Sequence, residues 1–221
     1  MGDGTAARAH VDGVLQFDVA EDVLVQRLLK RGETSGRSDD NAEAIVKRLR
    51  TYNESTVAVV AHFEKQGKVT RIFGGDAVEA VFEKTKAAVA PTVRAEVAAY
   101  NQLLLDAIGH LDWPAYDALV DDGVSCFEPE AKGLVVGKAL HQSVFESAGA
   151  ARRAAGKGPS ATAMQDAAVT LLGPRHALVA YTRVPQPTDA SKPPASETRI
   201  WALEASGKGW RHLHFHRSAA S

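Results

Sequence analysis

Along the first ninety residues the apolar positions change period several times. Val14-Leu15-Gln16-Phe17-Asp18-Val19 is an apolar run of strand length. From Glu21 to Arg31, Val23, Leu24, Leu28 and Leu29 recur at helical spacing, and Gly32 is expected to stop that helix. Gly32 to Ser38 reads as a polar loop. Asp40, followed three residues later by Glu43, has the form of a capping box, in which two side chains satisfy free backbone N–H groups at a helix start. It predicts a long helix with Ile45, Leu49, Tyr52, Thr56, Val59 and Phe63 on one stripe, closed by Gly67. Val69-Thr70-Arg71-Ile72-Phe73 is a second strand, and Asp76 is expected to cap a helix running to about Val89. The order β-α-loop-α-β-α predicts an α/β segment whose two strands are parallel.

The pattern changes at Ala90-Pro91, where a helix break and a domain boundary are expected. Val93, Val97, Tyr100, Leu104, Ile108 and Leu111 then mark one face of an amphipathic helix. Asp112-Trp113-Pro114 starts a short helix through Val120. Two short strands follow at Val124–Glu128 and Leu134–Val136, then a helix over Ala139–Ala151. Strands are expected at Ala163–Leu172, Ala177–Val184, Glu197–Leu203 and Trp210–Arg217, separated by Gly173-Pro174, the Pro-rich loop 185–194 and Ser206-Gly207. Helices followed by an antiparallel meander predict an α+β domain in which a curved sheet wraps a long helix.

Charge adds little to this picture. The 26 Lys and Arg balance 27 Asp and Glu, so neither nucleic acid nor an acidic membrane surface is expected as a partner. Cys126 is the single cysteine and fits a reducing compartment. No apolar run approaches the roughly 18 residues that span a bilayer, and residues 1–10 are followed by no apolar signal region. A cytoplasmic protein is expected.

Two sets of motifs carry resemblances. Phe127-Glu128-Pro129-Glu130-Ala131, Ala180-Tyr181-Thr182-Arg183, Ser196-Glu197-Thr198-Arg199-Ile200-Trp201 and His214-Phe215-His216-Arg217-Ser218 occur in that order. With them, residues 92–218 resemble the association (hub) domain of calcium/calmodulin-dependent protein kinase II. The resemblance implies a nuclear-transport-factor-2-like cone and self-assembly of the chain into a large, double-layered ring. A kinase or another hub-bearing protein is a further partner it allows. Leu28-Leu29-Lys30-Arg31-Gly32-Glu33-Thr34-Ser35-Gly36-Arg37, with Asp39-Asp40-Asn41, resembles the lid region of short adenylate and UMP/CMP kinases. That resemblance covers residues 14–89 and implies phosphate-contacting roles for Arg27, Arg31, Arg37 and Arg48. In that family the phosphate-binding loop lies upstream of the position of Val14.

Chemistry is therefore sought in three places. Arg27 and Arg31 read equally as an i,i+4 pair on a solvated helix face. Phosphoryl transfer also needs a loop that cradles phosphates and a lysine. Ala155-Gly156-Lys157-Gly158 lacks the spacing and the following Ser/Thr, so no catalytic residue is expected. Arg183 and Arg199 sit in apolar strands, where a charge is costly unless paired. They form either a structural network with carboxylates such as Glu130 or Glu197, or a pocket for a small anion. By the hub resemblance Tyr116 and His141 line the same pocket, although Gln142 stands where that family usually carries arginine. His212, His214 and His216 alternate in the last strand, but no Cys or Asp cluster completes a metal site there, and neither metal nor cofactor is expected. Protein-kinase signatures are absent from the sequence, and no basic amphipathic stretch precedes Thr92. The expected function is an oligomerisation scaffold. The alternatives are a nucleoside monophosphate kinase-related phosphotransferase or nucleotide binder through residues 14–89, and a small-anion-binding cone-fold module.

Overall fold

A computed structural model describes residues 11–35, 41–128, 133–186, 194–207 and 209–219. The chain divides into two compact units, residues 1–91 and 92–221.

In the first unit β1 (Val14–Asp18) pairs with β2 (Val69–Phe73) in parallel, with Phe17 opposite Ile72. Helix α1 (Glu21–Ser35) runs through Gly32 instead of stopping there. One glycine costs a helix about 1 kcal/mol relative to alanine, which weakens it without ending it. Asp40 lies outside the described residues. The N-cap of α2 (Ala42–Thr51) is Asn41, whose side chain accepts from Ala44 N at 2.9 Å. The predicted long helix is interrupted by a π-turn, Tyr52–Thr56, before α3 (Val57–Glu64). A π-turn carries one extra residue and so shifts the inward phase. Ile45 is buried as expected, but downstream it is Val60 that is buried (7% exposed), while Val59 is 56% exposed. Helix α4 (Val78–His110) contains Pro91, where a break was expected. Proline removes one hydrogen bond of the ladder, and the flanking Ala87, Ala88 and Ala90 are strong helix formers.

In the second unit α5 (Trp113–Leu119) is capped by Asp112, whose side chain accepts from Ala115 N. It leads into β3 (Val120–Phe127), β4 (Val135–Val136), α6 (Lys138–Ala154), β5 (Ala161–Leu171), β6 (His176–Gln186), β7 (Ala195–Leu203) and β8 (Trp210–Ala219). The six strands lie in the order β4-β3-β8-β7-β6-β5. From β5 to β8 they form the expected antiparallel meander. The sheet is mixed, however, because β8 returns parallel to β3. This is an α+β fold, a curved sheet around the 92–110 part of α4. Val97, Leu104 and Leu105 of that helix share one core with Val120, Val124, Val179 and Trp201. Two contacts fix the helix to the sheet. Trp201 Nε1 donates to Asn101 Oδ1 at 3.1 Å. At Gly109 the helix backbone meets the start of β5, where a Cβ would lie 2.0 Å from the Ser160 carbonyl oxygen. Near the end of the sheet, β8 carries a bulge. Trp201 faces His212 and Ile200 faces His214, so Leu213 is an extra residue.

Candidate functional site

Alternate residues of a strand share a face, and on β7 Glu197, Arg199 and Trp201 are all buried. A guanidinium in the middle of a sheet needs acceptors and a counter-charge. Strand register supplies both, since Tyr181 of β6 stands opposite Glu197 and Phe215 of β8 opposite Arg199. Arg199 Nη2 donates to Glu197 Oε2 at 2.9 Å, and its Nε donates to the Tyr181 hydroxyl at 2.9 Å. That hydroxyl donates in turn to Glu197 Oε2. The guanidinium lies 4.6 Å from the centre of the Phe215 ring. Arg183 Nη1 approaches Glu197 Oε1 at 3.6 Å. Burial alone would raise the Glu197 pKa, but Arg199, the Tyr181 hydrogen bond and Arg183 together hold it below the ordinary carboxylate value. Burial would lower the pKa of Arg199, and Tyr181 and Glu197 more than reverse this. The pair is charged, with Glu197 as its carboxylate; Glu130, the other candidate partner, lies outside the described residues.

A second cluster faces the first. Cys126 and Glu128, two apart at the end of β3, meet His141 from the first turn of α6. Cys126 Sγ lies 3.5 Å from His141 Nε2 and 3.6 Å from Glu128 Oε1. The other imidazole nitrogen, Nδ1, is 2.7 Å from the Tyr116 hydroxyl of α5. Arg217 Nη2 donates to Glu128 Oε2 at 2.8 Å. Burial pushes the Cys126 thiol up to about 12, helped by the Glu128 charge. Burial, and then Arg199, push His141 below its ordinary value, and burial raises Tyr116.

Both clusters line a cavity of about 420 Å³. Tyr116, His141, Arg183 and Arg199, the four residues singled out from the sequence, all lie on its wall, together with Glu128, Glu197, Phe215 and Arg217. Apolar Ile108, Val135, Leu140, Val144 and Phe145 complete it. Sequence reading singled out neither Glu128 and Arg217 on this wall nor Cys126 in the second cluster. The signal for Cys126 was its spacing of two from Glu128, which puts both on one face of a strand. Arg183 Nε is buried there without a hydrogen-bond partner.

The histidine triplet is not on one face. The bulge at Leu213 puts His212 inside, fully buried and stacked on Phe215, while His214 and His216 pack their edges against the exposed Phe127. His212 is held well below its ordinary pKa by burial, then by Arg199 and His141.

In the first unit Arg27 Nη1 donates to the Gly74 carbonyl at 2.8 Å, tying α1 to the turn after β2. Arg31 and Arg48 lie exposed on α1 and α2, and Arg37 falls outside the described residues. The Ala155–Gly158 segment follows the C-terminus of α6, with Gly156 at φ +61° and Lys157 N donating to the Arg152 carbonyl. Phosphate loops precede a helix N-terminus, whose dipole attracts anions; the opposite pole lies here. Among the described residues no helix is long and apolar enough to cross a membrane.

A family model for the calcium/calmodulin dependent protein kinase II association domain matches residues 93–221. Among curated proteins, a UMP-CMP kinase of Lentinula edodes is 51% identical over 77 residues, 35% of this chain and 34% of that protein. Adenylate kinase 1 of Schistosoma mansoni is 54% identical over 71 residues, 32% of this chain and 36% of that protein. The chain thus spans about a third of the length of these relatives. Among solved structures, the association domain of C. elegans CaMKII is 29% identical, over 58% of this chain and 97% of that one, with a TM-score of 0.49. The S. rosetta CaMKII hub is 37% identical, over 57% and 96%, with a TM-score of 0.47.

Proposed function

Because the chain belongs to the calcium/calmodulin dependent protein kinase II association domain family, we propose that it is an oligomerisation scaffold whose residues 91–221 assemble copies of the chain into a ring. The observation that carries this reading is the family match over the whole of 93–221. The surface of the unit is consistent with it. Phe127, Leu134, Val136, Leu140 and Val144 are exposed on β3, β4, α6 and the segments between them, and large apolar side chains gathered on a surface mark interaction sites. A double-layered ring is the arrangement proposed, and a kinase or another hub-bearing protein is the partner it would recruit. Light scattering of the purified full chain tests it. A mass many times the 23.5 kDa of one chain is expected, and a monomer at micromolar concentration would remove the reading.

Residues 1–90 make a second part, built on the lid and C-terminal segment of a nucleoside monophosphate kinase. Within the 221 residues no Gly-x-x-x-x-Gly-Lys-Ser/Thr sequence occurs, so nothing here would cradle the transferred phosphate. The chain is expected to be inactive as a phosphotransferase, with any nucleotide affinity resting on Arg27, Arg31, Arg37 and Arg48. A coupled ADP-release assay with AMP, UMP or CMP as acceptor should stay at background. Turnover that persists through further purification would restore the kinase reading.

One observation favours a second role for the cavity. Arg183 Nε lacks a partner there, and three arginines face two carboxylates across its wall. A small carboxylate would supply the missing acceptor. A saturable rise in melting temperature with added carboxylate, absent in Arg183→Ala, would establish that role.

A further inference from the structure

The Cys126, Glu128 and His141 cluster has no part in the Glu197–Arg199 network, and its geometry has a chemistry of its own. One ligand atom from each of the three lies within 4.8 Å of the others. A tetrahedral zinc ion with bonds of about 2.3 Å to sulfur and about 2.0 Å to nitrogen or oxygen would hold such atoms about 3.5 Å apart. The sulfur-to-nitrogen and sulfur-to-oxygen distances, 3.5 and 3.6 Å, already match. Without an ion the thiol donates to Glu128 Oε1, and a metal would replace that bond with direct coordination by both groups.

We propose that Cys126, Glu128 and His141 bind a zinc-type divalent ion, with the fourth coordination position open to the cavity that Glu128 and His141 line. A thiolate, an imidazole and a carboxylate together favour zinc or cobalt over magnesium or calcium, which take oxygen ligands. As the metal–sulfur bond forms, the thiol proton leaves to solvent, so the two anionic ligands balance the charge of the ion. The surroundings prepare each ligand. In the tautomer whose Nδ1–H donates to the Tyr116 oxygen, 2.7 Å away, Nε2 of His141 carries the lone pair a metal takes, and Arg217 holds Glu128 Oε2 so that Oε1 faces the sulfur. Of the two nearby cations that would oppose the ion, Arg199 is engaged by Glu197 and Tyr181 and Arg217 by Glu128 Oε2. The three open-site protein ligands resemble a catalytic zinc arrangement more than a closed structural one.

The test is a titration of the full chain, stripped with a chelator, using cobalt(II) as the probe. A sulfur-to-cobalt charge-transfer band and tetrahedral visible bands should saturate at one ion per chain and bleach on adding zinc, with magnesium having no effect. Cys126 is the only cysteine, so the sulfur band of the unsubstituted chain identifies the ligand even if a variant fails to fold. Cys126→Ser should abolish the band, and Tyr116→Phe, which removes the group orienting His141, should weaken cobalt binding about 10–100-fold. A folded chain giving no sulfur band overturns the proposal, as does a tetrahedral cobalt spectrum that survives Cys126→Ser. Neither result depends on whether the chain forms a ring.

Discussion

Replacing Glu197 with glutamine removes a negative charge and leaves the shape almost unchanged, so its cost measures what Arg199 loses. The side chains of Glu197 and Arg199 are 1% and 2% exposed, so bulk water would hydrate the orphaned guanidinium poorly. The glutamine oxygen and the Tyr181 hydroxyl could still accept hydrogen bonds, but no anion would remain against Arg199. Breaking a buried pair on one side costs about 3–5 kcal/mol, which for a domain of this size is roughly 10–15 °C in melting temperature. Arg199→Met should cost a comparable amount by stranding the carboxylate. The double variant Glu197→Gln/Arg199→Met should recover most of the loss, because an apolar replacement of a buried pair is often neutral or better. Urea unfolding of the full chain at one fixed protomer concentration is the assay, since assembly adds a concentration-dependent stability of its own. A loss below about 1 kcal/mol for Glu197→Gln, or a double variant as unstable as the two single losses added, would refute the reasoning.

The buried His212 predicts how stability follows pH. Its folded pKa is depressed well below 6.5, so in acid the unfolded chain takes up a proton that the folded one refuses. Stability should be level above about pH 7 and fall below 6.5 by about 1.4 kcal/mol per pH unit, with His141 adding in the same direction. His212→Gln should flatten the slope in denaturant unfolding, and a stability that rises on acidification would contradict the assignment. Gly109→Ala should destabilise by about 1–3 kcal/mol despite alanine's better helix propensity, because its Cβ meets the Ser160 carbonyl. Gly158→Ala, where the space is open, should be near neutral, and equal melting temperatures for the two variants would count against the close approach.

Much of the second unit was legible because its signals are local. Arg199 in an apolar strand signalled the need for a carboxylate, with Glu197 among the candidates, and Asp112-Trp113-Pro114 announced the start of α5. The misses share a physical origin in single-residue phase changes that apolar spacing does not register. The π-turn at Tyr52–Thr56 moved burial from Val59 to Val60, and the bulge at Leu213 separated His212 from His214 and His216. Pro91 was read by its local preference, yet it sits inside α4. Cys126 escaped notice because its neighbours Glu128 and His141 come from a strand end and a helix start that only the fold brings together.

That bulge has a consequence for how the protein can change. A strand has two sides, so its residues are read with a frame of two, and Leu213 acts as a frameshift within β8. The bulge absorbs the extra residue, so that His212 before it and Phe215 and Arg217 after it share the inner side. Substituting Leu213 should be inexpensive, since the backbone and not the side chain sets the frame. Deleting it would remove the bulge and leave His212, His214, Phe215, His216 and Arg217 in plain alternation with their present partners, so Phe215 and Arg217 would still face the cavity. In this strand, then, the bulge is a buffer of length: losing its residue keeps the wall, whereas pairing Leu213 regularly would turn Phe215 and Arg217 outward.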